Sequence, residues 1–207
     1  ARNTAMLMLP PLDVLATLSS LELVASITPG PNNAMLAASG ANFGLRRSIP
    51  HAMGIALGYA LMIFLIGLFL GEVFQRSAVL REVLRWAAAG LLVYVAWKIA
   101  TARGLSTEGA AVKPFSFLQA ASFQWVNPKG WAMGTAITAQ FVNADAALQS
   151  TLLIALIFMV VILASSACWL LLGRAIGRLL KTSNNLLWFN RAMAATILLC
   201  LVLLFVE

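Results

Sequence analysis

In a chain that is 61% hydrophobic and 10% charged, the few polar groups inside apolar stretches stand out. They gather at two places. The first is Pro29-Gly30-Pro31 followed by Asn32 and Asn33, and the second is Gln124 followed by Asn127-Pro128-Lys129. Proline lacks an N–H and clashes with the preceding turn, so each cluster breaks a helix and frees backbone groups. Asn127-Pro128 has the form of an N-cap with proline at the first helical position, and Gly30-Pro31 can play the same part. Helices restarting near Asn32 and Lys129 would turn uncapped N–H groups and positive dipole ends inward. The helices ending near Thr28 and Val126 would offer carbonyls. Partial charges of both signs suit a zwitterion, with its carboxylate at the N-termini and its ammonium at the carbonyls. Asn32, Asn33 and Gln124 would add side-chain hydrogen bonds. Lys129 is placed to hold a carboxylate or to pair with a carbonyl. Glu22, seven residues before Pro29 on the same helix face, is a candidate to bind an ammonium group or a coupling proton, or else a helix-paired carboxylate.

The elements that must carry these groups are membrane helices. The residues from Ala52 to Gly71 and from Ala146 to Gly173 contain no Asp, Glu, Lys or Arg. Each run reaches the roughly 18–20 residues that cross a hydrocarbon core as helix, where every backbone polar group must pair internally. Six segments are expected: about 11–44, 49–71, 83–102, 115–142, 147–173 and 186–206. The first and fourth are broken, at Pro29-Gly30-Pro31 and Asn127-Pro128. Pro31 precedes Pro50 by 19 residues and Pro128 precedes Ala147 by 19. Each half thus has a broken segment followed by two ordinary ones. Three crossings per half make the halves inverted repeats, residues 1–103 and 114–207, joined by a polar connector over 104–113. Interrupted segments at matching places in inverted halves point to a transporter's binding site.

Loop charge orients the chain. Arg46, Arg47, Lys98, Arg103, Lys113, Arg174, Arg178, Lys181 and Arg191 fall on one side, and Arg2, Arg76, Arg81 and Arg85 on the other. The side with nine is expected to be cytoplasmic, with both termini outside. The net charge of +7 and pI near 10.3 follow from this bias, and no nucleic-acid motif accompanies them. Cys168 and Cys200 both sit in apolar runs and read as free thiols. With one histidine, His51, there is no catalytic set, no metal-ligand spacing and no cofactor motif, so the chain is not expected to be an enzyme or to hold a metal. Gly40/Gly44 and Gly54/Gly58 are small-xxx-small pairs suited to close helix packing, which leaves pairing with a second copy open.

Ser26-Ile-Thr-Pro-Gly-Pro-Asn-Asn33, Gly54-Ile-Ala-Leu-Gly58 and Trp125-Val-Asn-Pro-Lys-Gly-Trp131 together resemble the LysE/RhtB amino-acid exporter family. Ala96-Trp-Lys-Ile-Ala-Thr101, the doubled asparagine and Lys113-Pro-Phe-Ser-Phe117 are similar to its branch exporting cysteine and O-acetylserine. The resemblance implies a multi-pass protein of the bacterial inner membrane. It would be a secondary transporter exporting small neutral amino acids or derivatives, coupled to the proton gradient, with lipid and substrate as its partners. The family's motif residues map onto Pro29, Gly30, Pro31, Asn32, Asn127, Pro128 and Lys129. Many relatives carry an acid directly after the GxxxG element, where this chain has Tyr59. The rival readings are a passive channel for small polar solutes and a membrane-embedded assembly factor.

Overall fold

The computed structural model describes residues 11–70, 73, 76–102, 113–180 and 183–206, and the described residues are helical almost throughout. The order is α1 (Leu12–Ile27), α2 (Pro31–Leu65) running into a π turn (Ile66–Leu70), α3 (Ala78–Ala100), α4 (Phe117–Gln124), α5 (Pro128–Phe141), a 3-10 turn (Ala144–Ala146), α6 (Ala147–Leu179) and α7 (Ser183–Val206).

Both expected breaks are present, and proline sets both. Thr28 precedes Pro29 and takes φ −58°, ψ 129°, since a residue before proline is pushed out of the helical region. Helix α2 then restarts with Pro31 at its first position. Asn127 (ψ 108°) ends the interruption after α4, and α5 starts on Pro128.

Helix α2 is a hairpin of two arms. Gly44, at φ 74°, ψ 176°, is the only residue in it with non-helical torsions, in a region open essentially to glycine alone. The Ser39 and Ser48 hydroxyls meet at 2.9 Å, whereas nine residues of straight helix would separate them by about 13.5 Å. Gly44 therefore makes a turn rather than the packing contact its pairing with Gly40 suggests. The second arm begins directly after it, about four residues earlier than Ile49, and Pro50 lies within the helix.

Among the described residues, four stretches are long and apolar enough to cross a membrane: Pro31–Leu70, Ala78–Ala100, Ala144–Leu179 and Asn184–Val202. The six expected segments exceed this because Pro31–Leu70 joins parts of the first two through the turn at Gly44, and α4 and α5, of 8 and 14 residues, are each too short to span alone. The connector expected over 104–113 lies outside the described residues except for Lys113.

Helix α2 packs chiefly against α6 and then α4, while α3 packs against α7 and α1 against α6. Small residues set the approach. A Cβ on Gly173 or Gly177 would strike the Ala37 or Ala41 backbone, and one on Gly54 or Gly58 would strike α4 at Phe117 or Ala121. Asn42 and Asn190 exchange hydrogen bonds of 2.7 and 3.0 Å, and Asn190 also donates to the Ala102 carbonyl at 2.8 Å. That buried pair ties α2 and α7 to the end of α3. Leu36, Ile55, Met62, Ile63, Phe158 and their neighbours form the main core. Trp86, Val160, Leu171 and Val202 stand exposed on the outside, as helices facing hydrocarbon require.

Candidate functional site

The two interruptions lie against each other. Asn32, just after the first, donates from Nδ2 to Gln124 Oε1 at 2.9 Å, and Gln124 Nε2 returns a bond to Asn32 Oδ1 at 3.3 Å. Lys129, just after the second, reaches back to α1, donating to the Ala25 carbonyl at 2.6 Å and the Thr28 carbonyl at 3.1 Å. Sequence separations near one hundred are thereby closed by side chains of the break motifs themselves. Trp131 Nε1 holds the Trp125 carbonyl at 2.8 Å, fixing the second interruption from within.

At this junction lies a cavity of about 60 Å³, room for a few water-sized groups. Glu22 and Ser26 of α1 line it, with Gly30, Pro31, Asn32 and Asn33 at the first break and Asn127, Lys129 and Gly130 at the second. Ile55 and Tyr59 close it from the second arm of α2, and Ser165 and Ser166 from α6. Of the residues singled out in the sequence, Pro29, Gln124 and Pro128 do not line it. Pro29 is exposed on the outside of the turn. Gln124 is fully buried, and its amide is spent on Asn32 and the Ala120 carbonyl.

The charges are arranged differently from the expectation. The α1 carbonyls that were to receive an ammonium are already taken. Ala25 and Thr28 accept from Lys129, Ser26 and Thr28 accept from Asn33 Nδ2 at 2.7 and 2.9 Å, and Ser26 also accepts from Ser165 Oγ at 3.0 Å. The physical reason is that the last carbonyls of a helix need partners wherever it ends, and the neighbouring break supplies them at once. The acceptors left over are on side chains. Glu22 is 2% exposed, and neither its Oε2 nor Asn127 Oδ1 has a hydrogen-bond partner. No ion pair joins Glu22 to Lys129, and Glu22 Oε2 is not paired within its helix. The donors left over are at the two helix starts. Gly30 and Asn127 are the caps of α2 and α5, and neither helix has a side-chain cap bond. Asn127 has the cap position but not the cap bond, its Nδ2 pointing to Gln124 Oε1 at 3.5 Å instead.

Tyr59, Ser165 and Ser166 were not among the expected site residues. Tyr59 is buried and stacks on Phe158 at 6.3 Å. A doubled serine in the middle of an uncharged 28-residue run was the available signal for α6. Among the described residues no group of His, Cys, Asp and Glu converges as a metal site.

The family model for LysE type translocators matches residues 23–207. The cysteine/O-acetylserine efflux proteins of Escherichia coli K12, Escherichia coli O139:H28 (strain E24377A / ETEC) and Shigella flexneri serotype 5b (strain 8401) are similar. Each is 30% identical over 186 residues, covering 88% of this chain and 93% of the relative. No solved structure matches the chain. The chain belongs to the LysE type translocators, which are multi-pass inner-membrane transporters and not enzymes.

Proposed function

We propose that the chain is a secondary exporter of small neutral amino acids or their derivatives, coupled to the proton gradient, with the cavity between the two breaks as its substrate site. One observation carries the reading. Unpaired acceptors, Glu22 Oε2 and Asn127 Oδ1, and helix starts without side-chain caps face the same small space. A zwitterion is the ligand that satisfies both. Its carboxylate takes the N–H groups at the starts of α2 and α5, with Lys129 beside them. An ammonium has three N–H bonds, and Lys129 uses two on α1, so one remains for the carboxylate. The substrate's own ammonium takes Glu22 and Asn127 Oδ1. Glu22 is the candidate to carry the exchanged proton, since a buried carboxylate can hold either a proton or the substrate's charge but gains little from both.

The six-crossing inverted repeat completes the reading. In it, α1 with the first arm of α2, and α4 with α5, are the two broken crossings. It is supported by mirrored contacts: Gly173 and Gly177 of α6 lie against the arm after the first break, while Gly130 and Gly134 after the second break lie against Met62 and Ile63 of α2 and Ile66 of the π turn that continues it. The nine basic residues then face the cytoplasm. The cavity of about 60 Å³ keeps the site narrow. A pocket separates neighbours in size by only about 1–3 kcal/mol per methylene, so substrates such as cysteine and O-acetylserine, the compounds named for the relatives, should overlap.

Counterflow in proteoliposomes against labelled amino acids tests the reading. Saturable exchange of cysteine, O-acetylserine and threonine, faster than that of phenylalanine and tryptophan and driven by an imposed proton gradient, is expected. Unsaturable flux that ignores the gradient would make the protein a channel. Equal or better transport of the aromatic pair would remove the size argument.

A further inference from the structure

A second cavity, of about 40 Å³, lies between the first arm of α2, the start of its second arm, the end of α3 and the segment before α4. It shares no lining residue with the first. His51, Lys98, Lys113 and Phe115 are in its wall. His51 is 1% exposed, and neither Nδ1 nor Nε2 has a hydrogen-bond partner. Its ring stacks on Phe115 at 5.4 Å, and Lys98 Nζ lies 5.2 Å from the centre of the same ring. Buried polar groups are normally paired, and an imidazole always has at least one N–H to give. The other polar groups of the wall are already engaged, Ser39 with Ser48 and Asn42 with Asn190. What remains is a buried imidazole in a wall that also holds two lysines, a set of donors that fits an anion.

Position says which anion. His51, Ile55 and Tyr59 are spaced four apart on the second arm of α2, hence on one helix face. Ile55 and Tyr59 line the first cavity, so His51 stands about two turns below Tyr59 on the same side. Buried Leu36 and Ile55 line the first cavity, one on each arm of α2, and both arms also carry wall residues of the second.

We propose that the second cavity is an intake site. It receives the carboxylate of the substrate on the face carrying Lys98 and Lys113, through those lysines and His51, before passage past Leu36 and Ile55. The proposal rests on the export reading above.

The test is thiol labelling. In a chain with Cys168 and Cys200 replaced by alanine, Ile99→Cys puts one thiol in the wall of this cavity, and O-acetylserine is the probe. O-acetylserine is expected to slow labelling, and to do so also when Glu22→Gln disables the first cavity. Lys98→Met and His51→Phe are each expected to raise the half-protecting concentration about tenfold, the loss of one charge-assisted hydrogen bond. Lys98 is only partly buried, so its variant keeps the test open should His51→Phe misfold. Counterflow by the unmodified chain without protection, or protection unchanged in both variants, overturns the intake site and leaves the export reading standing. Labelling that is slow with phosphatidylglycerol and fast in pure phosphatidylcholine, whatever the amino acid, assigns the lysines to a lipid headgroup and also overturns it. Absence of counterflow brings down the export reading together with this site.

Discussion

Replacing Lys129 by methionine keeps most of the stem and removes the charge and all three donors. Two bonds are lost, to the Ala25 carbonyl at 2.6 Å and the Thr28 carbonyl at 3.1 Å. Thr28 keeps Asn33 as a partner, whereas among the described residues Lys129 is the only side chain hydrogen-bonded to the Ala25 carbonyl. A hydrogen bond to a charged group contributes about 1.5–3 kcal/mol. The two share one nitrogen and are not additive, so about 3 kcal/mol is expected, roughly two decades in an unfolding constant. Glu22 compounds the effect, since it loses the lysine that shares its cavity while remaining buried. Unfolding of Lys129→Met in mixed micelles should show this loss, and counterflow should weaken roughly ten- to a hundredfold beyond what the lost folded fraction explains. The double variant with Glu22→Gln should recover part of the stability and none of the transport. Lys129→Met that unfolds like the unmodified chain would refute the clamp across the breaks. Normal stability with normal transport would also remove Lys129 from the substrate site.

Gly44→Ala has open space around the new methyl, so its cost is torsional, about 1–3 kcal/mol at these angles. A melting temperature equal to that of the unmodified chain would contradict the hairpin in α2. Gly173→Ala should destabilise by about 1–3 kcal/mol, because its methyl meets the Ala37 backbone, whereas Gly90→Ala in α3 meets nothing and should be neutral or mildly stabilising; a reversed order of the two in the same unfolding assay would refute the α2–α6 contact. Glu22→Gln should abolish the response of counterflow to an imposed proton gradient while the protein still inserts, and a normal response would move proton coupling to another group. Single cysteines at positions 46 and 113 should label from one face and one at position 145 from the other, and labelling of all three from one side would break the inverted repeat.

The sequence by itself determined the class of the protein and the location of its interruptions. Uncharged runs of more than eighteen residues have one stable form in lipid, and proline ends a helix by its own geometry, independent of any neighbour. Hence α1, α4 and α5 stop and start within a residue or two of the positions read from Pro29, Pro31 and Pro128. The motifs also carried the family, because TPGPN and NPK stand at a fixed distance along one chain. Tertiary structure decided which polar group meets which. Hydrogen bonds across the junction join residues about a hundred positions apart, and no local rule says that Lys129 will cap α1 while Glu22 stays unpaired. For the same reason Asn32, Asn33 and Gln124, read as substrate contacts, bind one another and the chain. The end of the first segment at Gly44 was legible too, but a reversal made by that one residue at positive φ, with helix resuming directly after it, is a property of the packed chain. Ser165, Ser166 and His51 became legible only once α6 and the second arm of α2 were laid beside the breaks, since a polar side chain in a membrane helix acquires its role from the face it turns inward.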